Sequence, residues 1–112
     1  MASDNRHYIL KGREVEVVDL DTWARSIEGD RRVGYDEIDG KRVSTVFLGL
    51  NHQFGSGPPL LFETMVFPMG SSSDLYCDRY STYDEAEAGH AKVVRGLKDG
   101  TLELYGDEAV VK

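Results

Sequence analysis

The residues of this chain best able to do chemistry are a short polar run, one acid set in an apolar segment, and two histidines. Asn51-His52-Gln53 begins a stretch that continues to Gly55-Ser56-Gly57-Pro58-Pro59, and Glu63 interrupts the greasy run LLFETMVF. His90 falls on the apolar stripe of the C-terminal third. A histidine and a carboxylate within hydrogen-bond reach could act as general base and acid. Glycines let backbone amides approach a ligand, and prolines stiffen the way out of the loop. Gly55 and Gly57 are a weak phosphate signal, because no helix start follows them.

Each residue has a structural reading beside the chemical one. The loop is a turn between two strands, or a binding rim on a rigid scaffold. A carboxylate inside an apolar strand must be paired, hydrogen-bonded or neutralised, so Glu63 is a site acid or the partner of an arginine. A histidine on an apolar helix face is more often a partly buried hydrogen-bonding residue than a catalyst. Cys77 stands alone, with Arg79 as its only nearby cation in sequence, and reads as an inert small apolar residue. The chain has no P-loop, HExxH pair, GxSxG elbow or paired-cysteine motif. His7, His52 and His90 lie too far apart in sequence to form a metal trio without tertiary convergence. No catalytic residue, metal or cofactor is assigned. The candidate binding set is Asn51, His52, Gln53, Glu63 and His90.

The elements that must hold this set follow from periodicity. Residues 43–50 and 60–67 are apolar on both alternating faces, which predicts adjacent central strands of a covered sheet. Asp39-Gly40 is a favoured type I′ pair. It sets Ile38 opposite Lys41, Glu37 opposite Arg42, Tyr35 opposite Ser44 and Val33 opposite Val46. One face would then carry Val33, Tyr35, Val46 and Leu48, the other Ile38, Val43, Thr45 and Phe47. Residues 8–10 and 14–18 predict a hairpin turning at Lys11-Gly12-Arg13. A short helix is expected over 22–28, capped by Asp19 or Asp21 and closed by Gly29, with Trp23 as a core anchor. Pro68 ends a strand, residues 75–80 predict another, and Thr82 with Glu85 forms a capping box for a helix over 83–98 stopped by Gly100. Gly89 inside that helix costs about 1 kcal/mol against alanine, which implies close approach to the strands. Residues 101–105 add an edge strand or pack over the helix, and residues 1–6 and 107–112 are expected to be flexible. The fold class is α+β: one domain, a mostly antiparallel sheet of four to six strands, the C-terminal helix on one face and the short Trp23 helix beside it.

Composition narrows the function classes. The 112-residue chain carries 20 acidic and 13 basic residues, a formal net charge of -7. A protein that neutralises phosphates needs a positive footprint, so nucleic acid is disfavoured as a partner. No apolar segment approaches the ~20 residues of a membrane span, and the first residues lack the apolar centre of a signal peptide. The expected location is the cytoplasm.

The stretch VSTVFLGLNHQFGSGPPLLFETMVF, followed by DRYSTYDEAEAGHAKVV, resembles a family of small uncharacterised proteins encoded by bacteriophages and prophages. The likeness covers residues 43–94, about half the chain, and includes Asn51, His52, Glu63, Thr64 and His90. It differs from the family's pattern in having Asn51 where aspartate also occurs and Tyr83 where tryptophan also occurs. The resemblance implies expression inside an infected or lysogenic bacterium, and brings neither an activity nor catalytic residues. Three functions follow in order: a non-enzymatic interaction protein that modulates a host enzyme or defence component; a binder of a nucleotide-type small molecule near His52 and Glu63, helped by Arg42, Arg79 and Lys92; and a compact hydrolase or nuclease using His52 or His90 with Glu63. A homodimer through an exposed strand edge is a further expectation.

Overall fold

A computed structural model describes residues 6–29, 31–53 and 55–104. Six strands and two helices follow one another as β1 (His7–Lys11), β2 (Glu14–Val18), α1 (Leu20–Ser26), β3 (Arg32–Ile38), β4 (Lys41–Phe47), β5 (Phe62–Pro68), β6 (Tyr76–Tyr80) and α2 (Tyr83–Asp99). β1 and β2 form a two-stranded sheet, and β3-β4-β5-β6 form a four-stranded antiparallel sheet in that spatial order. The α+β architecture expected from the sequence is therefore the observed one, with the two apolar runs as its central strands.

The β3–β4 turn behaves as its residues dictate. Asp39 and Gly40 have φ of 52° and 76°, the positive pair that a type I′ turn demands. Ile38, Glu37 and Tyr35 pair with Lys41, Arg42 and Ser44. The expected register then fails by one residue, because a bulge between Arg32 and Gly34 sets Arg32, not Val33, opposite Val46. The bulge turns Val33 to the covered side, where it packs against Phe47 and Phe62 and their neighbours instead of sharing a face with Tyr35.

α2 lies across the four-stranded sheet. Thr82 and Glu85 form the reciprocal capping box, and Gly100, at φ 76°, closes the other end. Its buried residues Ala86, His90, Val93 and Gly96 face the inward positions Val43, Thr45 and Phe47 of β4 and Phe62, Thr64 and Val66 of β5. Gly89 is required by contact: a Cβ there would overlap the Tyr80 hydroxyl. Burial pushes the ionisation of that hydroxyl up to about 12, and the neighbouring Thr64 hydroxyl partly opposes the shift. Thr101–Leu104 adds no strand; Leu102 folds back over Gly96 and joins Val43, Val66 and Val93.

The hairpin β1–β2 sits beside α2. Tyr8 is buried with Phe47, Leu61 and Ala86, while Leu10 and Val15 pack around them. Arg13 at the hairpin turn reaches Asp84 at 2.5 Å and Glu87 at 2.7 Å and lies 4.4 Å over the Tyr83 ring. These groups are exposed, so the pairs orient the hairpin more than they stabilise it.

Three expectations need correcting. The short helix begins at Leu20 with Asp19 as its cap and ends at Ser26 before an Ile27 cap, because the Asp19 side chain accepts from Thr22 N–H. No residue of α1 is buried: Trp23 packs against Gly49 and the His7 ring at the rim of the core, and α1 rests on β1 instead of lying beside α2. Among the described residues, the central strands are covered on one face, where α2 packs on the four-stranded sheet, and no other helix packs broadly on it. The flexibility expected of residues 1–6 and 107–112 falls, apart from Arg6, outside the described residues, as does Tyr105.

Gly89→Ala should destabilise the protein by about 1–3 kcal/mol in urea unfolding, since the overlap with Tyr80 outweighs the ~1 kcal/mol that alanine gains in helix propensity. An unchanged or higher midpoint would mean that the helix stands further from β6 than described.

Candidate functional site

The candidate residues separate into three places. In the loop after β4, Asn51 Oδ1 accepts from Gln53 N–H at 2.8 Å and from Leu60 N–H at 2.9 Å, while Gln53 Nε2 donates to Pro58 O at 3.2 Å. Both side chains therefore hold the loop together. His52 fixes the loop through its backbone, donating N–H to Leu60 O at 3.0 Å; its half-buried imidazole makes no hydrogen bond or ion pair among the described residues.

Glu63 lies on the sheet face away from α2. Its Oε2 accepts from Arg79 Nε at 3.0 Å and from Cys77 Sγ at 3.4 Å, across the register that pairs Glu63 with Arg79 and Met65 with Cys77. The acid in the apolar strand is thus held by an arginine. Burial first, then the Glu63 charge, push the Cys77 thiol up to about 11, so the cysteine is a poor nucleophile at neutral pH.

His90 lies on the opposite face, sealed between α2 and the strands. Nδ1 stands 2.7 Å from Thr45 Oγ1, and Thr45 Oγ1 stands 2.5 Å from Thr64 Oγ1. Nε2 stands 2.8 Å from Asp36 Oδ2. In the neutral ring Nε2–H donates to the Asp36 carboxylate and Nδ1 accepts from the Thr45 hydroxyl, which can in turn accept from Thr64. Gly34 makes room: a Cβ there would stand 3.1 Å from three atoms of the imidazole.

His52, Glu63 and His90 therefore do not share a cleft, and the strand β5 itself separates the last two. Nor do Arg42, Arg79 and Lys92 form one basic patch, because Arg42 and Arg79 project on the outer face and Lys92 is on α2. The partners of His90, namely Asp36 and Thr45, and the Thr64 hydroxyl behind Thr45 are not legible in the sequence. The signal was present as threonines at the inward positions of two apolar strands, but it becomes a pair only once the β4–β5 register sets Thr45 opposite Thr64.

Carboxylate, imidazole and hydroxyl in hydrogen-bonded sequence have the order of a hydrolytic triad. Here the hydroxyl is inaccessible: Thr45 and Thr64 are both 0 % exposed, and α2 covers them. A substrate could reach Thr45 Oγ1 only if the helix lifted away. The solvent-facing end of the chain is Asp36, whose side chain is half exposed along a groove of about 400 Å³ between β3 and α2. Among the described residues, no group of three or more His, Cys, Asp or Glu is placed to hold a metal ion, and no helix is long and apolar enough to cross a membrane. No family model, curated protein or solved structure matches this chain.

Two measurements test this description. Thr45→Val keeps the shape but strips His90 Nδ1 and Thr64 of their partner, so it should cost about 1–3 kcal/mol in chemical denaturation. Thr45→Val with Thr64→Val should cost less than the sum of the single changes, since no orphaned hydroxyl is left on β5. Alkylation of Cys77 by iodoacetamide at pH 8.5 should run about tenfold slower than for free cysteine, because the loss of thiolate outweighs the higher nucleophilicity of a more basic sulfur. Labelling at the free-cysteine rate would mean that the thiol is neither buried nor beside Glu63.

Proposed function

We propose that this protein acts by binding another protein through the open face of its four-stranded sheet. The observation that carries the reading is the composition of that face. Tyr35 on β3, Val46 on β4, and Met65 and Phe67 on β5 form an apolar band on the side away from α2. Arginines lie over its aromatic members: Arg32 is 4.7 Å from the Tyr35 ring centre and Arg42 is 4.4 Å from that of Phe67. With Arg79, the face carries three arginines against Glu37 and Glu63, with Asp74 near Cys77 at its β6 edge, so this face is close to neutral on a chain of -7. Arginine and aromatic residues are the types that dominate binding energy at protein interfaces.

The charge contrast specifies the partner: an apolar patch bordered by carboxylates. Four strands about 4.8 Å apart and seven residues of about 3.3 Å each give a projected area near 450 Å² per partner, the scale of a transient contact. The likeness to phage and prophage proteins supports placing that contact in the host cytoplasm, where the partner is a host enzyme or defence component. The buried hydroxyl of Thr45 and the arginine-bound Glu63 support a binding role over a hydrolytic one.

The test is affinity capture from a bacterial host, with the wild type compared against Met65→Lys and Arg32→Glu on the open face and Lys92→Glu on the opposite side. Loss of at least tenfold in affinity for the captured protein is expected for the first two, the scale of a central hot spot, with no loss for Lys92→Glu. Binding should also weaken as salt is raised, as charge-steered association does. Capture of nucleic acid instead, or equal capture by all three variants, would overturn the reading.

A further inference from the structure

The groove between β3 and α2 lies on the covered side of the sheet, away from the face proposed for protein docking. Its floor is Ala91 and Val94, Asp36 with His90 stands at one end, and Arg95, Lys98 and Asp99 stand at the other. Its volume of about 400 Å³ falls within the ~300–1,000 Å³ of small-molecule sites. We propose that this groove binds a nucleoside monophosphate, with the base edge on Asp36 and the phosphate on Arg95 and Lys98.

Three observations meet here. First, the Asp36 carboxylate is fixed without being used up. His90 holds one oxygen at 2.8 Å, His90 is itself held by Thr45, and the side chain remains half exposed. A carboxylate locked by hydrogen bonds behind it is a preorganised acceptor for N–H donors. Second, Arg95 and Lys98 form no ion pair among the described residues, although the chain has an excess of carboxylates. Two cations one helical turn apart, with guanidinium and ammonium both able to donate, suit a phosphate group. Third, the spacing fits. His90 and Lys98 are eight residues apart on α2, which is about 12 Å along the axis, the reach of an extended nucleotide from base edge to phosphate. The apolar floor lies between them, where a base and sugar would rest.

The chemistry favours guanine among the bases. Its N1–H and N2–H point the same way and can both donate to one carboxylate, whereas adenine offers a single amino group beside a ring-nitrogen acceptor that a carboxylate repels. Asp99 lies beside the cationic end and favours a monophosphate over more highly charged nucleotides. The site differs from the one expected from sequence, because His52 and Glu63 take no part and only His90 is shared.

The experiment is isothermal titration of the purified full-length protein with GMP, AMP, guanosine and inorganic phosphate. GMP should bind at least tenfold tighter than AMP and than either of its halves, guanosine or phosphate. Lys98→Glu, an exposed change, should weaken GMP at least tenfold; because it also removes the cation from the last turn of α2, the free protein's unfolding midpoint should fall slightly, and circular dichroism would establish that the variant is folded. Asp36→Asn should erase the preference for GMP over AMP, and circular dichroism would establish that this variant is folded. No heat with GMP up to millimolar concentration, an affinity unchanged by Lys98→Glu, or phosphate alone binding as tightly as GMP would each overturn the proposal. None of these outcomes bears on the docking face, whose variants lie across the sheet.

Discussion

The hydrogen-bonded line from Asp36 through His90 and Thr45 to Thr64 is the constraint around which this fold is arranged. It joins β3, α2, β4 and β5, so it fixes the rotation of the helix about its own axis as well as its height above the sheet. Apolar contacts alone would tolerate a slide of the helix by a fraction of a turn. A buried imidazole with both nitrogens engaged does not, because any slide leaves polar atoms unpartnered in a low-dielectric interior. The small residues around it follow from the same demand. Gly34 yields space to the ring and Gly89 to Tyr80, so that the helix can approach to hydrogen-bonding distance.

The same sheet shows what happens where no helix is present. On the outer face the polar atoms are solvated or paired at the surface, and the apolar side chains are shielded by arginine stems and guanidinium planes instead of by a second layer. At the β5 end this shield is fixed as well as charged, because the Arg42 guanidinium over Phe67 also donates to Ser71 O at 2.7 Å.

Much of the fold could be read from the residues. Asp39-Gly40 determined a hairpin and most of its register, Thr82 and Glu85 a helix start, Gly100 its end, and the apolar runs the two central strands. Each of these is a local signal whose physics acts within a few residues. Non-local facts escaped. The bulge at Arg32/Gly34 brings Gly34 against the His90 ring and Val33 to the inner side, a long-range fit that nothing in β3 alone reveals. An apolar run looks the same whether its second face meets a helix or a row of arginines from neighbouring strands, so the coverage of the sheet was overestimated. The candidate site was least legible. His90 reads as a hydrogen-bonding residue of the helix face, but its partners Asp36 and Thr45 come from two strands, with Thr64 on a third behind them, and Glu63 and His90 are separated by the alternation of a strand whose register the long loop after β4 does not fix.

The attachment of the β1–β2 hairpin carries a consequence for motion. The hairpin is bonded to the rest of the backbone by Tyr8 N–H to Gly49 O and the single bridge from His7 to Leu50, and steadied by exposed charges on Arg13. Its own ladder needs no other strand. What ties it to the body is apolar burial: Tyr8, Leu10 and Val15 pack on Phe47, Leu61, Phe62 and Ala86, so local opening of the hairpin exposes that cluster. Its opening would bare Phe47, Leu61 and Tyr83 together, which makes the twelve residues 7–18 the cover over the protein's greasiest interior.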